Sequence, residues 1–70
     1  MKYYLKQAAF HDEMKKRLLT KADIAKRIGV APSTLYSYTN NIDKPVSMPF
    51  ARKCIEYFGV DLGYLFDTDN

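Results

Sequence analysis

Seventy residues with a formal net charge of +3 leave room for one domain and one small core. A chain this short buries only about 60% of the surface its unfolded form exposes, so a partner chain would add useful stability. Apolar residues make up 47% of the chain, which excludes general disorder, and the single Cys54 excludes an internal disulfide framework.

The first element in chain order is a helix over residues 2–18. Phe10, Met14 and Leu18 recur at helical spacing, and Leu5 with Ala8 or Ala9 extends the stripe backwards. Lys6, Asp12, Glu13, Lys16 and Arg17 fall mostly on the other side, with Glu13 four residues before Arg17. A second helix is expected over 21–28, capped by Thr20 with Asp23 three residues on. Its buried face is Ile24, Ala25 and Ile28, and Gly29 ends it by entering the left-handed conformation.

A third helix follows over 32–39, with Pro32 at its first position, where the missing N–H costs nothing. Leu35 and Tyr38 face inward. Asn40 and Asn41 stop the helix, since asparagine tolerates the left-handed region better than most residues. Residues 42–47 form a loop punctuated by Asp43, Lys44 and Pro45. Ser47 caps a fourth helix over 48–58, whose apolar face is Phe50, Ala51, Cys54, Ile55 and Phe58. Gly59 closes it. A short fifth helix over 61–66 starts at Asp61 and packs through Leu62, Leu65 and Phe66. No strand pattern persists, so the expected fold is all-α. Residues 1–66 make one five-helix domain, and 67–70 are a frayed acidic tail.

Charge is unevenly spread. Residues 1–30 carry eight cations (Lys2, Lys6, Lys15, Lys16, Arg17, Lys21, Lys26 and Arg27) against Asp12, Glu13 and Asp23. The last ten residues hold three aspartates and no cation. A basic front half attracts polyanions. No apolar run approaches the roughly 18 residues of a membrane span, and the opening MKYYLKQAAFHDEMKK is too charged for a secretory signal. A cytoplasmic protein with no membrane partner is expected.

His11 stands alone, without cysteine or histidine at ligand spacing, so no metal site is expected. Cys54 lies on an apolar helix face and reads as an inert core thiol. No nucleophile motif or phosphate-cradling glycine loop is present, so neither a catalytic site nor a cofactor is expected.

The stretch TKADIAKRIGVAPSTLYSYTNN, residues 20–41, has helix-turn-helix spacing: Ile24-Ala25, Ile28-Gly29-Val30, Leu35, Tyr38. Together with ARKCIEYFGVDLGYLF downstream, it resembles the XRE-type, lambda-repressor-like helix-turn-helix family, which includes the phage Cro and repressor domains. The resemblance covers residues 18–66. It implies an operator-binding domain, usually dimeric, with the third helix in the major groove of double-stranded DNA. By position it implies base reading by Ser33, Thr34 and Ser37, with Pro32 and Tyr36 beside them. It implies phosphate contacts from Lys21 with Thr20 beside it, from Asn40, and from Lys44 in the following loop. The chain departs from the family pattern where an Arg–Glu pair is common, at Met14 and Thr39. It departs again at Asn41, where glycine is common, and in lacking Gln or Arg readers.

That last departure bears on function. A bidentate Arg–guanine or Gln–adenine pair supplies about 1–3 kcal/mol of discrimination, and serine or threonine hydroxyls supply less. Modest specificity per half-site is expected, and with it a homodimer reaching half-sites roughly 34–36 Å apart. The apolar excess at Phe58, Val60, Leu62, Tyr64 and Phe66 marks the expected dimer contact. The alternative is a helix-turn-helix modulator that docks on a partner repressor protein through exposed tyrosines among Tyr3, Tyr4, Tyr36, Tyr57 and Tyr64.

Overall fold

The computed structural model describes residues 2–69. Its element order is β1 (Lys2–Leu5), α1 (Gln7–Arg17), α2 (Lys21–Ile28), α3 (Pro32–Asn40), α4 (Met48–Phe58), α5 (Leu62–Leu65) and β2 (Phe66–Asp69). The five helices fall where helical spacing puts them, with shifts at the ends. The two strands correct the all-α expectation.

β1 and β2 pair antiparallel, with Lys2 opposite Asp69, Tyr3 opposite Thr68, Tyr4 opposite Asp67 and Leu5 opposite Phe66. Paired tyrosines favour an extended backbone. The ladder joins the two ends of the described chain, and four-residue strands are too short to show alternation in sequence. Leu5 and Phe66 sit on one face and are both buried, which fixes the register at its apolar end. The other edge of β1 is taken by Val46, whose N–H donates to the Tyr3 carbonyl at 2.8 Å. Asp67–Asp69 are therefore paired rather than frayed, and Asn70 lies outside the described residues. Lys6 holds Asp67 at 3.8 Å, so part of the front-half basic surplus meets the acidic end within the chain.

α1 consequently starts at Gln7, five residues later than its expected start. Phe10 is buried and Met14 half-buried, but Leu18, expected at the end of that stripe, is 91% exposed. Leu18 has a left-handed backbone with φ 55° and ends the helix. The N–H of Leu19 then bonds the Met14 carbonyl at 3.0 Å. Gly29 and Gly59 end α2 and α4 the same way, with φ 79° and 67°, as their sequence positions predict. Asn41 does not: its φ of −127° is extended, and its side chain instead donates to the Ser37 carbonyl at 2.7 Å.

Thr20 and Ser47 cap α2 and α4 through their hydroxyls. Asp61 occupies the cap position of α5 without a side-chain bond. The core gathers Phe10, Ile24, Ala25, Leu35, Phe50, Cys54, Phe58, Leu65 and Phe66 from every helix and β2. Burial pushes the Cys54 thiol up to about 12, so it carries no thiolate at neutral pH.

Glu13 was expected on the solvent side of α1 but is buried. It faces α5, where the Tyr64 hydroxyl donates to it at 3.0 Å. Lys16 and Arg17 also reach it, at 3.3 and 3.4 Å. Arg17 further donates to the Phe58 carbonyl at 3.0 Å and lies 5.0 Å from the Phe58 ring centroid. One carboxylate thus joins α1 to the α4–α5 end of the molecule.

Candidate nucleic-acid interface

α3 is held by one face. Leu35 is fully buried, and Tyr38 packs its ring 4.6 Å from that of Phe50. The Tyr38 hydroxyl accepts from the Ser47 N–H at 3.4 Å. The Tyr38 carbonyl accepts from the Gln7 side chain at 3.1 Å, tying the end of α3 to the start of α1. Anchored this way, α3 turns its opposite stripe outward. Ser33, Tyr36, Ser37 and Asn40 share that stripe by helical spacing. Ser33, Tyr36 and Asn40 are exposed, and Thr34 and Ser37 are half-exposed.

The stripe has no charge of its own, but two lysines border it. Lys21, the first residue of α2, places its ammonium 5.9 Å from the Tyr36 ring centroid. Lys44 arrives from the loop. The Lys44 N–H bonds the Asn41 carbonyl at 3.1 Å, closing a turn that sends the chain back towards α3. The Lys44 ammonium then donates to the Ser37 hydroxyl oxygen and lies 5.5 Å from the Tyr38 ring centroid. The family resemblance implies a phosphate contact for Lys44 from its loop and does not announce that its side chain folds onto α3. The signal was there in part: a turn-forming Asn-Ile-Asp-Lys stretch directly after the helix.

Thr20 stands differently. Its N–H and its hydroxyl both donate to the Asp23 carboxylate, at 3.0 and 2.9 Å. The Asp23 N–H bonds back to the Thr20 hydroxyl at 3.2 Å, completing a capping box. Those bonds to Thr20 hold the Asp23 carboxyl below its usual range. Both Thr20 donors are thus engaged within the cap, and Lys21 beside it carries the free charge at the start of α2.

The expected dimer surface is reduced. Phe58 and Phe66 are buried in the chain's own core and cannot serve a partner. Phe58 packs edge-to-face on Phe10 of α1, and Phe66, expected at the end of the fifth helix, instead opens β2 opposite Leu5. Val60, Leu62 and Tyr64 remain at least partly accessible. Of the tyrosines, Tyr36 and Tyr64 are exposed, while Tyr3, Tyr4 and Tyr57 are half-buried. Among the described residues, no three His, Cys, Asp or Glu side chains gather as metal ligands. No described helix is long and apolar enough to cross a membrane.

Comparison with curated proteins and comparison with solved structures each return no match. The profile of the helix-turn-helix family, however, matches residues 11–65 of the 70, from α1 through α5. The chain therefore belongs to the XRE-type, lambda-repressor-like helix-turn-helix family, a family of DNA-binding regulators.

Proposed function

We propose that this protein is a sequence-specific transcriptional regulator of phage or mobile-element type that lays α3 in the major groove of operator DNA. The observation that carries this is the outward stripe of α3, free of core contacts and bordered by two ammonium groups. Ser33, Thr34, Tyr36 and Ser37 meet base edges. The Thr34 methyl suits a thymine methyl, and the hydroxyls serve as donor or acceptor. Lys21 and Asn40 meet phosphates and set the register. Hydroxyl readers alone discriminate weakly, so two copies bind as a homodimer on half-sites roughly 34–36 Å apart. Val60, Leu62 and Tyr64 form the contact between them.

The test is electrophoretic mobility shift with sequences selected from random DNA, across a salt series. Affinity falls steeply with salt, with a log–log slope of about 0.9 per phosphate neutralised. Lys21→Ala weakens binding to all sequences about equally, and Ser33→Ala relaxes preference at one position. No shift at low salt, with a small repressor co-purifying instead, would replace this reading by that of a protein-binding modulator.

A further inference from the structure

We infer that Lys44 and Ser37 act as one guanine-reading unit, with the loop lysine supplying the charged reader that α3 lacks. The inference rests on α3 lying in the major groove. An ammonium has three N–H donors and no acceptor. One is spent on the Ser37 hydroxyl oxygen, which leaves two. Ser37, having accepted, keeps its own O–H to donate. The pair therefore offers donors from adjacent atoms, in a positive field.

Only one base matches that pattern fully. Guanine presents two acceptors, N7 and O6, side by side in the major groove. Adenine sets a donor beside its N7, cytosine presents a donor, and thymine pairs one acceptor with a methyl. A donor placed against a cation-backed donor pair is unfavourable, so adenine and cytosine are discriminated against as well as less well bound.

The position of Lys44 distinguishes this role from a phosphate contact. A phosphate-binding lysine needs only to reach the backbone. Here the Asn41–Lys44 turn and the Asn41 side chain on the Ser37 carbonyl bring the ammonium to Ser37, at the edge of the outward stripe, with the Tyr38 ring flanking it on the anchored side. Holding a long flexible side chain at the reading position before DNA arrives lowers the entropy lost on binding.

The experiment is selection from random DNA with wild type, Lys44→Met, Ser37→Ala and Lys21→Ala, followed by affinity measurement on the selected site and its single-base variants. Lys44→Met keeps an apolar stem over Tyr38 while removing the charge, and thermal melting checks that each variant folds. Wild type selects guanine at one fixed position of each half-site. Lys44→Met and Ser37→Ala each lose that guanine and no other base, and the preference at that position falls by about 5- to 150-fold. Lys21→Ala keeps it. If Lys44→Met instead weakens every sequence equally, lowers the salt slope by about one and leaves base preference intact, Lys44 is a phosphate contact. The inference then fails while the DNA-binding reading stands. If wild type selects no sequence at low salt, both fail together.

Discussion

The α2–α3 unit and the α4–α5 unit start from the same local instructions. Each opens on a hydroxyl cap, Thr20 or Ser47, accepting from the N–H three residues on. Each first helix ends at a left-handed glycine followed by valine. Both the glycine and the valine N–H return to one carbonyl, of Ala25 in the first unit and Ile55 in the second. The second helices then diverge. α3 has nine residues, enough to bury Leu35 and Tyr38 on one stripe and expose another. α5 has four, and its chain passes at once into β2, where Phe66 is buried beside Leu5. The turn is decided locally. Whether a reading surface results depends on how far the helix runs beyond it and on what covers its outer side.

The largest effects that probe this contrast are at the anchors. Leu35 and Leu65 are both fully buried, one in each second helix. Leu35→Ala and Leu65→Ala are each expected to cost about 2–5 kcal/mol by urea denaturation, a large share of the stability of so small a domain. They separate in hydrogen exchange. The Leu65 carbonyl accepts the Lys6 N–H at 2.7 Å, so Leu65→Ala deprotects the β1–β2 ladder before the rest. Equal protection across the molecule in both variants would mean that the units are not separable in this way.

What could be read from sequence divides along the same line. The capping box, both glycine ends, Pro32 at the start of α3 and the buried faces of α2 to α4 are local patterns, and each appeared where spacing put it. Most misreadings involve partners distant in sequence, while the exposed Leu18 and the extended Asn41 are local exceptions at helix ends. Lys2–Leu5 looked helical because its strand partner lies at the opposite end of the chain. Glu13 looked solvent-facing because Tyr64 is 51 residues away. Phe58 and Phe66 read both as apolar helix-face residues and as dimer contacts, because spacing marks an apolar residue without showing that Phe10 lies against one and Leu5 opposite the other. In the candidate site, the exposed stripe of α3 was legible from its 3.6-residue period, but the Lys44–Ser37 contact depends on loop geometry that periodicity does not encode.

The helix ends supply the next effect in size. An added Cβ at Gly29 or Gly59 meets nothing within 4 Å, so alanine there is opposed by backbone conformation alone. Left-handed strain of about 1–2 kcal/mol is partly offset by a restricted unfolded chain. Gly29→Ala and Gly59→Ala should therefore each lose about 1 kcal/mol, alike in the two units. α1 ends in the same motif with Leu18 in the glycine's place, 91% exposed and contributing little burial. Leu18→Gly is expected to raise stability by up to about 1 kcal/mol, with the same balance reversed. A clear loss on that substitution would show that the leucine side chain has a packing role its exposure does not reveal.

The smallest effect is set by pH and again distinguishes the units. Burial raises the Glu13 carboxyl, but the Tyr64 and Lys16 hydrogen bonds, the Lys16 charge and the Arg17 bond outweigh it and hold it below its ordinary 4.5. A depressed carboxyl contributes stability that is fully present above its unfolded value and is lost as pH falls through its folded one. The contribution is modest, because the Lys16 partner is largely in water. Asp23, lowered by its bonds to Thr20, titrates in the same acidic window but within the α2 cap. Urea midpoints at pH 7 and pH 3.5 should therefore fall in wild type, and fall less in Glu13→Gln and in Asp23→Asn. Hydrogen exchange assigns the two losses. In wild type, acid should loosen the α5 amides through Glu13 and the first turn of α2 through Asp23. With Glu13→Gln only the second change should persist, since α3 has no carboxylate of its own and is anchored by Leu35 and Tyr38, which acid does not touch.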